Sequence, residues 1–353
     1  MPQDYSITIG TTGRGTWNSL DGGESWMLQR KWFFPPESPI VRALTLHPSD
    51  PHTIYAGGDR GIHCSVDNGR NWEMISAPGQ MANVWSIAIC HDDPSTMFAG
   101  VSPTGLYRSR DGGYNWEKLS LPTLATECEV GDPRVTQMVI DPDDSRIIWA
   151  GIEVDGILRS VDQGDTWTRI PVPDEDIHSM VIGGDNPKRV FALTPRELYV
   201  TTDMGESWEA MGTKRFANQE NDGRYQRWLA QKPDDHQVMF MGTGSFNVGD
   251  AGNVFRSKDF GQSWEPVNLP KHTNSTVFGI QTNPLNPDRV VACSVNGEVW
   301  VSEDVGESWR LIRQTFGEVN CIAWQPNSAQ IEAEYTPTGM QAGLGGDVIV
   351  PKA

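Results

Sequence analysis

Ser302-Glu303-Asp304-Val305-Gly306-Glu307-Ser308-Trp309 is one of seven copies of a single pattern, Ser/Thr-x-Asp-x-Gly-x-(Ser/Thr/Asn)-Trp. The other copies begin at Ser19, Ser65, Ser109, Ser160, Thr201 and Ser257. An alternating apolar run leads into the box, as in Gly105-Leu106-Tyr107-Arg108-Ser109, and a short run follows its Trp, as in Trp116-Glu117-Lys118-Leu119. That order predicts strand, tight turn, strand: a β-hairpin turning on Asp-x-Gly. The carboxylate can accept N–H groups of the turn, and Gly takes a positive φ without steric cost. Each Trp can bury roughly 150–250 Å², enough to pin its hairpin to a neighbour. Seven equivalent carboxylates (Asp21, Asp67, Asp111, Asp162, Asp203, Asp259 and Asp304) cannot all serve one active site. They are assigned to the fold rather than to catalysis or metal binding.

Successive box Asp residues lie 41 to 56 residues apart, the period of a four-stranded propeller blade. Each repeat opens with an inner strand ending near a Pro, followed by a second strand such as Thr53-Ile54-Tyr55-Ala56-Gly57 and then the box hairpin. Residues 5–27 supply strands two to four of a blade, and Val319–Pro326 supplies an inner strand with nothing after it. Joined, they close the ring from both ends and remove exposed sheet edges. The expected fold is all-β: one seven-bladed β-propeller over residues 1–326. Residues 327–353 form a C-terminal extension, packed on the propeller or partly mobile.

The box resembles the Asp-box, or BNR, repeat of sialidases, sortilin-type receptors, xyloglucanases and photosystem assembly factors, and the resemblance covers residues 5–326. It implies a β-propeller and leaves the chemistry open, because fold and function separate easily. Sialidase activity is not assigned: sialidases of this type have six blades, and their N-terminal Arg-Ile-Pro signature is absent here.

Composition narrows the function classes. The chain has 353 residues, 37% hydrophobic, with 36 Gly, 24 Pro and 14 Trp, which suits many short strands and turns. A formal charge of −18 argues against general nucleic-acid or anionic-membrane binding. No apolar run reaches the length of a membrane span, and no basic-then-apolar leader is visible at the N-terminus. Five unpatterned cysteines (64, 90, 128, 293 and 321) suit a reducing, cytoplasmic setting. No metal or cofactor is expected, since no His/Cys/Asp cluster has ligand spacing and Gly10–Gly15 lacks the helix of a phosphate loop.

The seven inner strands provide an internal comparison. Their first position (Val41, Val84, Val135, Ile177, Gln226, Val277, Val319) and fourth position (Leu44, Ile87, Met138, Met180, Leu229, Ile280, Ile322) are nearly uniform and apolar, as packing between blades requires. The second position varies: Arg42, Trp85, Thr136, His178, Arg227, Phe278 and Asn320. Such a set suits an asymmetric pocket at the channel mouth; the plainer reading is a polar, water-filled channel. The loops between strands two and three add Arg14, Arg60, Thr104, Glu153, Asp155, Arg196 and Asn296, with Glu197 where the other repeats have Gly. Arg134, Arg224 and Tyr225 stand at inner-strand entrances, and Arg215 lies nearby. Arginines gathered on one face of an acidic protein suggest an anion, held with geometry suited to carboxylate or phosphate. Local ion pairing to Asp59, Asp132, Asp222 or Glu129 is the structural alternative. The long connections 28–40, 118–133, 210–224 and 243–253 fall on the same face, where function usually sits.

The leading expectation is an enzyme, of hydrolase or lyase type, acting on a small anionic or polar substrate in the central funnel. His178 would move protons, oriented by Glu153 or Asp155. Arg42, Arg60, Arg134, Arg196, Tyr225, Arg227 and Asn320 would bind the substrate, and Trp85, Phe278 and Trp32 would form an apolar wall. Glu153 or Asp155 paired with Asp222 or Glu318 gives a glycoside hydrolase-like alternative. A non-catalytic scaffold binding a protein partner across the same face is the other.

Overall fold

The computed structural model describes residues 4–29, 39–76, 81, 83–125, 131–184, 187–218 and 225–327. From residue 328 onward the expected C-terminal extension lies outside them, as do Trp32, Cys128, Glu129, Asp222 and Arg224.

Seven four-stranded antiparallel sheets make up the described structure. One of them is assembled from both ends of the chain. Strand β28 (Val319–Pro326) pairs with β1 (Tyr5–Thr11), running from Tyr5 opposite Pro326 to Thr11 opposite Val319. β2 (Gly15–Ser19) and β3 (Met27–Gln29) complete that blade. The other inner strands are β4 (Val41–Leu46), β8 (Val84–Ile89), β12 (Val135–Ile140), β16 (Ser179–Gly183), β20 (Tyr225–Gln231) and β24 (Val277–Gln281).

The blades lock at the second strands, which are buried along their length, as in β5 (Ile54–Gly58), β9 (Met97–Val101) and β13 (Ile148–Ile152). A small residue in the second strand receives the first-position side chain of the next blade. A Cβ added at Gly57 would sit 2.6 Å from Val84 Cγ1, and at Gly100 2.5 Å from Val135 Cγ1. The one polar member of the first position, Gln226, is also buried. Its amide accepts from Thr213 Oγ1 at 2.9 Å and donates to the Arg196 carbonyl at 3.0 Å, so burial leaves it satisfied.

The box turns behave as their chemistry requires. In the Asp67 copy, Oδ1 accepts from Ser65 Oγ at 2.8 Å and from the Asn71 N–H at 2.9 Å, while Oδ2 accepts from Asn71 Nδ2 at 2.6 Å. The Ser65 hydroxyl in turn accepts from the Gly69 N–H, and Trp72 donates its indole N–H to the Gly69 carbonyl at 3.1 Å. These bonds recur in the other copies and hold the box carboxyls below their ordinary pKa, at about 2 for Asp111.

The turn also ties blades together. Its third and fourth residues are both left-handed, even where the third is Val305 (φ 59) or Phe260 (φ 57). The carbonyl of that third residue faces the preceding blade and is taken there by the residue before the box hydroxyl. Asn18 donates to Asn68 O at 2.7 Å, Arg108 to Gln163 O at 2.6 Å and Arg256 to Val305 O at 2.8 Å, and Arg159 bonds Met204 O in the same way.

Candidate functional site

The inner strands enclose a channel of about 2110 Å³. All seven second-position residues line it. The reason is a backbone irregularity. In six of the seven inner strands the pairing register shifts at that residue: Arg42, Trp85, Thr136, Arg227, Phe278 and Asn320 are each skipped by the partner strand. A β-bulge frees one residue from the pleat and re-aims its side chain, here into the channel. His178 reaches the same place from just ahead of β16, its N–H bonded to the Leu193 carbonyl at 2.8 Å.

At the mouth the cations stack on rings. The Arg42 and Arg134 guanidiniums lie 4.3 and 4.6 Å from the Trp85 ring centre, and Arg227 lies 4.3 Å from that of Phe278. Arg134 is ion-paired to Glu153. Arg42 and Arg227 are different: the Nε of each is buried with no hydrogen-bond partner among the described residues. Burial, and then repulsion from Arg134, pulls the Arg42 pKa below its usual range.

His178 is 3% exposed. Its Nδ1 faces the Gln226 carbonyl at 2.8 Å, which assigns the ring proton to Nδ1, and its Nε2 lies 3.4 Å from the Tyr225 hydroxyl. Desolvation, reinforced by the Arg227 charge, pushes its pKa down to about 3, so the ring is neutral at neutral pH. The carboxylate beside it is Asp176, with Oδ1 3.5 Å from Nε2. Burial and the neighbouring Glu153 and Asp174 raise the Asp176 carboxyl to about 6, and Oδ1 has no hydrogen-bond partner among the described residues.

The other sequence candidates divide by position. Glu153, Arg196, Tyr225, Glu318 and Asn320 line the channel with Arg42, Trp85, Arg134, Arg227 and Phe278. Asn320 spends its amide on Thr12 Oγ1 and the Val41 carbonyl. Asp155 does not join them. It is buried behind the mouth, where Arg169 pairs with it at 3.2 Å and the Ala125 N–H donates to it. Arg60 sits 3.7 Å from Asp59, half-exposed and outside the channel lining. Glu197 faces inward to the fold, accepting from the N–H groups of Thr213 and Leu198 at 2.7 and 3.0 Å and so closing the connection after β19 (Glu209–Ala210).

Sequence reasoning missed Asp174 and Asp176, which read as part of an exposed charged run, Pro173-Asp174-Glu175-Asp176. The only signal was position, two residues ahead of His178. It also missed Phe246 and Val248 on the lip. Among the described residues, no group of three or more His, Cys, Asp or Glu side chains is placed to hold a metal ion, and no helix is long and apolar enough to cross a membrane.

Comparison with known proteins agrees with this architecture. A sequence model of the Sortilin-Vps10 family (sortilin, neurotensin receptor 3) matches residues 214–336. Sortilin of Rattus norvegicus is 32% identical over 162 residues, 45% of this chain and 18% of that protein. Among solved structures, the GH74 xyloglucanase from Xanthomonas campestris superposes with a TM-score of 0.60 at 18% identity, over 77% of this chain and 45% of that one. YCF48 bound to D1 peptide gives a TM-score of 0.55 at 14% identity, over 85% of this chain and 94% of that one. The chain is a BNR-type β-propeller. This BNR propeller also matches an oligoxyloglucan-reducing end-specific xyloglucanase of Emericella nidulans, 25% identical over 204 residues, which are 52% of this chain and 24% of that protein. It therefore spans under a quarter of either curated relative.

Proposed function

We propose that this propeller is a binding module whose channel mouth captures a carboxylate carried by a peptide or protein partner. One observation carries the reading: Arg42 and Arg227 are each stacked flat on an aromatic ring, and each keeps a buried Nε–H with no acceptor among the described residues. A buried donor without an acceptor costs about 1–3 kcal/mol, more when charged, and a ligand carboxylate removes that cost at both residues. Stacking fixes the plane of each guanidinium, so less entropy is lost when the anion arrives. His178, neutral and engaged by Gln226, serves as a hydrogen-bonding wall beside Tyr225 rather than as a proton carrier. The near whole-length superposition on YCF48 bound to D1 peptide agrees with a single propeller of this size acting as a partner-binding unit.

Isothermal titration of acetylated hexapeptides tests the idea. Peptides with a free terminal carboxylate, or with an Asp side chain and an amidated end, should bind, and Arg227→Ala should weaken them by about 10–100-fold. Equal affinity for fully amidated, acid-free peptides would remove the proposal.

A second reading has its own observation. Asp176, raised to about 6, sits near Glu153, and a carboxylic acid that keeps its proton beside an ionised carboxylate is the arrangement glycoside hydrolysis uses. The likeness to xyloglucanases gives the substrate to try first. Release of reducing ends from xyloglucan oligosaccharides, abolished by Asp176→Asn, would establish it, and no release from the wild-type protein would end it.

A further inference from the structure

The loop after β21 (Met239–Gly244) holds two large apolar side chains in solvent: Phe246 is 72% exposed and Val248 45%. A free apolar residue on a slack loop would need no explanation. This loop is not slack. Ser245 N–H bonds the Ala251 carbonyl at 3.0 Å, Ser245 Oγ donates to Asp250 at 2.8 Å, and the Asp250 N–H returns to Ser245 Oγ at 3.1 Å. The next blade clamps it from outside, with Thr276 Oγ1 donating to the Phe246 carbonyl at 2.5 Å and the Thr276 N–H to the Val248 carbonyl at 2.8 Å. Gly249 is left-handed (φ 64), and a Cβ there would meet Ser245 Oγ at 2.6 Å, so the tight return depends on glycine.

The rigid loop presents Phe246 at the channel. Its ring lies 6.3 Å from Tyr225, which lies 5.0 Å from the His178 ring, and Phe246 and Val248 both line the cavity that holds Arg227. No side chain from Ser245 to Gly249 is charged, whereas much of the rest of the mouth is. An apolar shelf thus runs without a break into the arginine site.

We propose that the mouth reads a second feature of the same ligand: an aromatic or branched aliphatic side chain close to the carboxylate, packed on the Tyr225–Phe246–Val248 shelf while the acid sits on Arg42 and Arg227. This rests on the carboxylate reading above. The partner is therefore an acidic peptide segment with an apolar residue within a few positions of its acid, rather than a generic anion. The shelf contributes area and the arginines contribute direction, the division of labour seen where aromatic anchors adjoin charged contacts.

Two pairs of acetylated hexapeptides test it by titration calorimetry. In the first pair the carboxylate is terminal, in the second it is an Asp side chain before an amidated end. Within each pair one peptide is otherwise all glycine, and its counterpart carries Phe two residues before the acid. The Phe peptide should bind the wild-type protein about tenfold tighter than its glycine counterpart. Phe246→Ser should shrink that advantage to about twofold or less, Phe246→Trp should keep it, and Arg227→Ala should weaken both members alike. An advantage that survives Phe246→Ser, with the Tm unchanged, overturns the shelf while leaving the arginine site standing. So does the absence of any Phe preference in the wild-type protein. If neither member of either pair binds at millimolar concentration, the carboxylate reading fails and the shelf falls with it.

Discussion

Two rings of seven positions run around this molecule, and they have opposite electrostatics. At the outer hairpins, the Asp in each box copy accepts a hydroxyl or amide donor and a backbone N–H, with almost the same distances from copy to copy. At the channel mouth the seven positions hold mostly different residues, and Arg42 and Arg227 are left with unanswered buried donors. The first ring has spent its polar capacity on the protein itself. The second has capacity left over, which is what a ligand needs. Repetition marks a structural requirement common to all blades, and departure from repetition marks the place where one blade does something the others do not.

The sharpest way to break that contrast is steric. Gly205→Ala puts a Cβ 2.5 Å from Ile170 Cγ2 on a left-handed backbone (φ 89), and should cost about 3 kcal/mol or more by denaturant titration. Asp67→Ala should follow at about 2 kcal/mol, because Ser65 Oγ and the Asn71 N–H lose their acceptor. Arg227→Ala should reverse the pattern, losing the peptide affinity described above while shifting stability by no more than about 1 kcal/mol, since its Nε bonds nothing within the described protein. A variant at Arg227 that unfolds the protein would show the second ring to be structural after all.

The smallest effect is a difference of sign with pH. Box carboxyls have folded pKa values below the unfolded value of 3.8, so their stabilisation is present above pH 4 and is lost as pH falls through about 2 for Asp111. Asp176 runs the other way. Its folded value near 6 lies above the unfolded 3.8, so the native state binds the extra proton, and stability falls as pH rises from about 4 through 6. Asp176→Asn should flatten that limb and raise stability at pH 8 by about 1 kcal/mol, reduced from the full shift because the group is half-exposed. Thermal melts between pH 4 and 8 measure it, and no change in slope would mean that Asp176 ionises as an ordinary surface carboxylate.

Much of this was legible in the sequence because the box recurs at blade spacing. Seven Asp-x-Gly turns set the fold, and the unmatched strands at either end set its closure. The varied second position was visible too, yet the bulge that turns those residues into the channel was not, since it lies in pairing register and leaves no composition signal. Asp155 looked like a partner for His178 by its place in the repeat. Its rotation onto Arg169 depends on a strand 14 residues further along the sequence. Asp176 was hidden for the converse reason: in sequence it is one acid among several, and only the packing of Glu153, Arg227 and Tyr225 around it makes it unusual.

The ring closure has a consequence for how the chain is made. β1 is buried along its whole length and pairs on one side with β28, which lies more than 300 residues later in the sequence. During synthesis Tyr5–Thr11 must wait, an apolar edge without its partner, until nearly all the protein has left the ribosome. At typical synthesis rates that wait is on the order of tens of seconds. The seam is thus the last joint to form and the one most open to a foreign strand, so a chain stalled before Val319 would present an unpaired sheet edge to its neighbours.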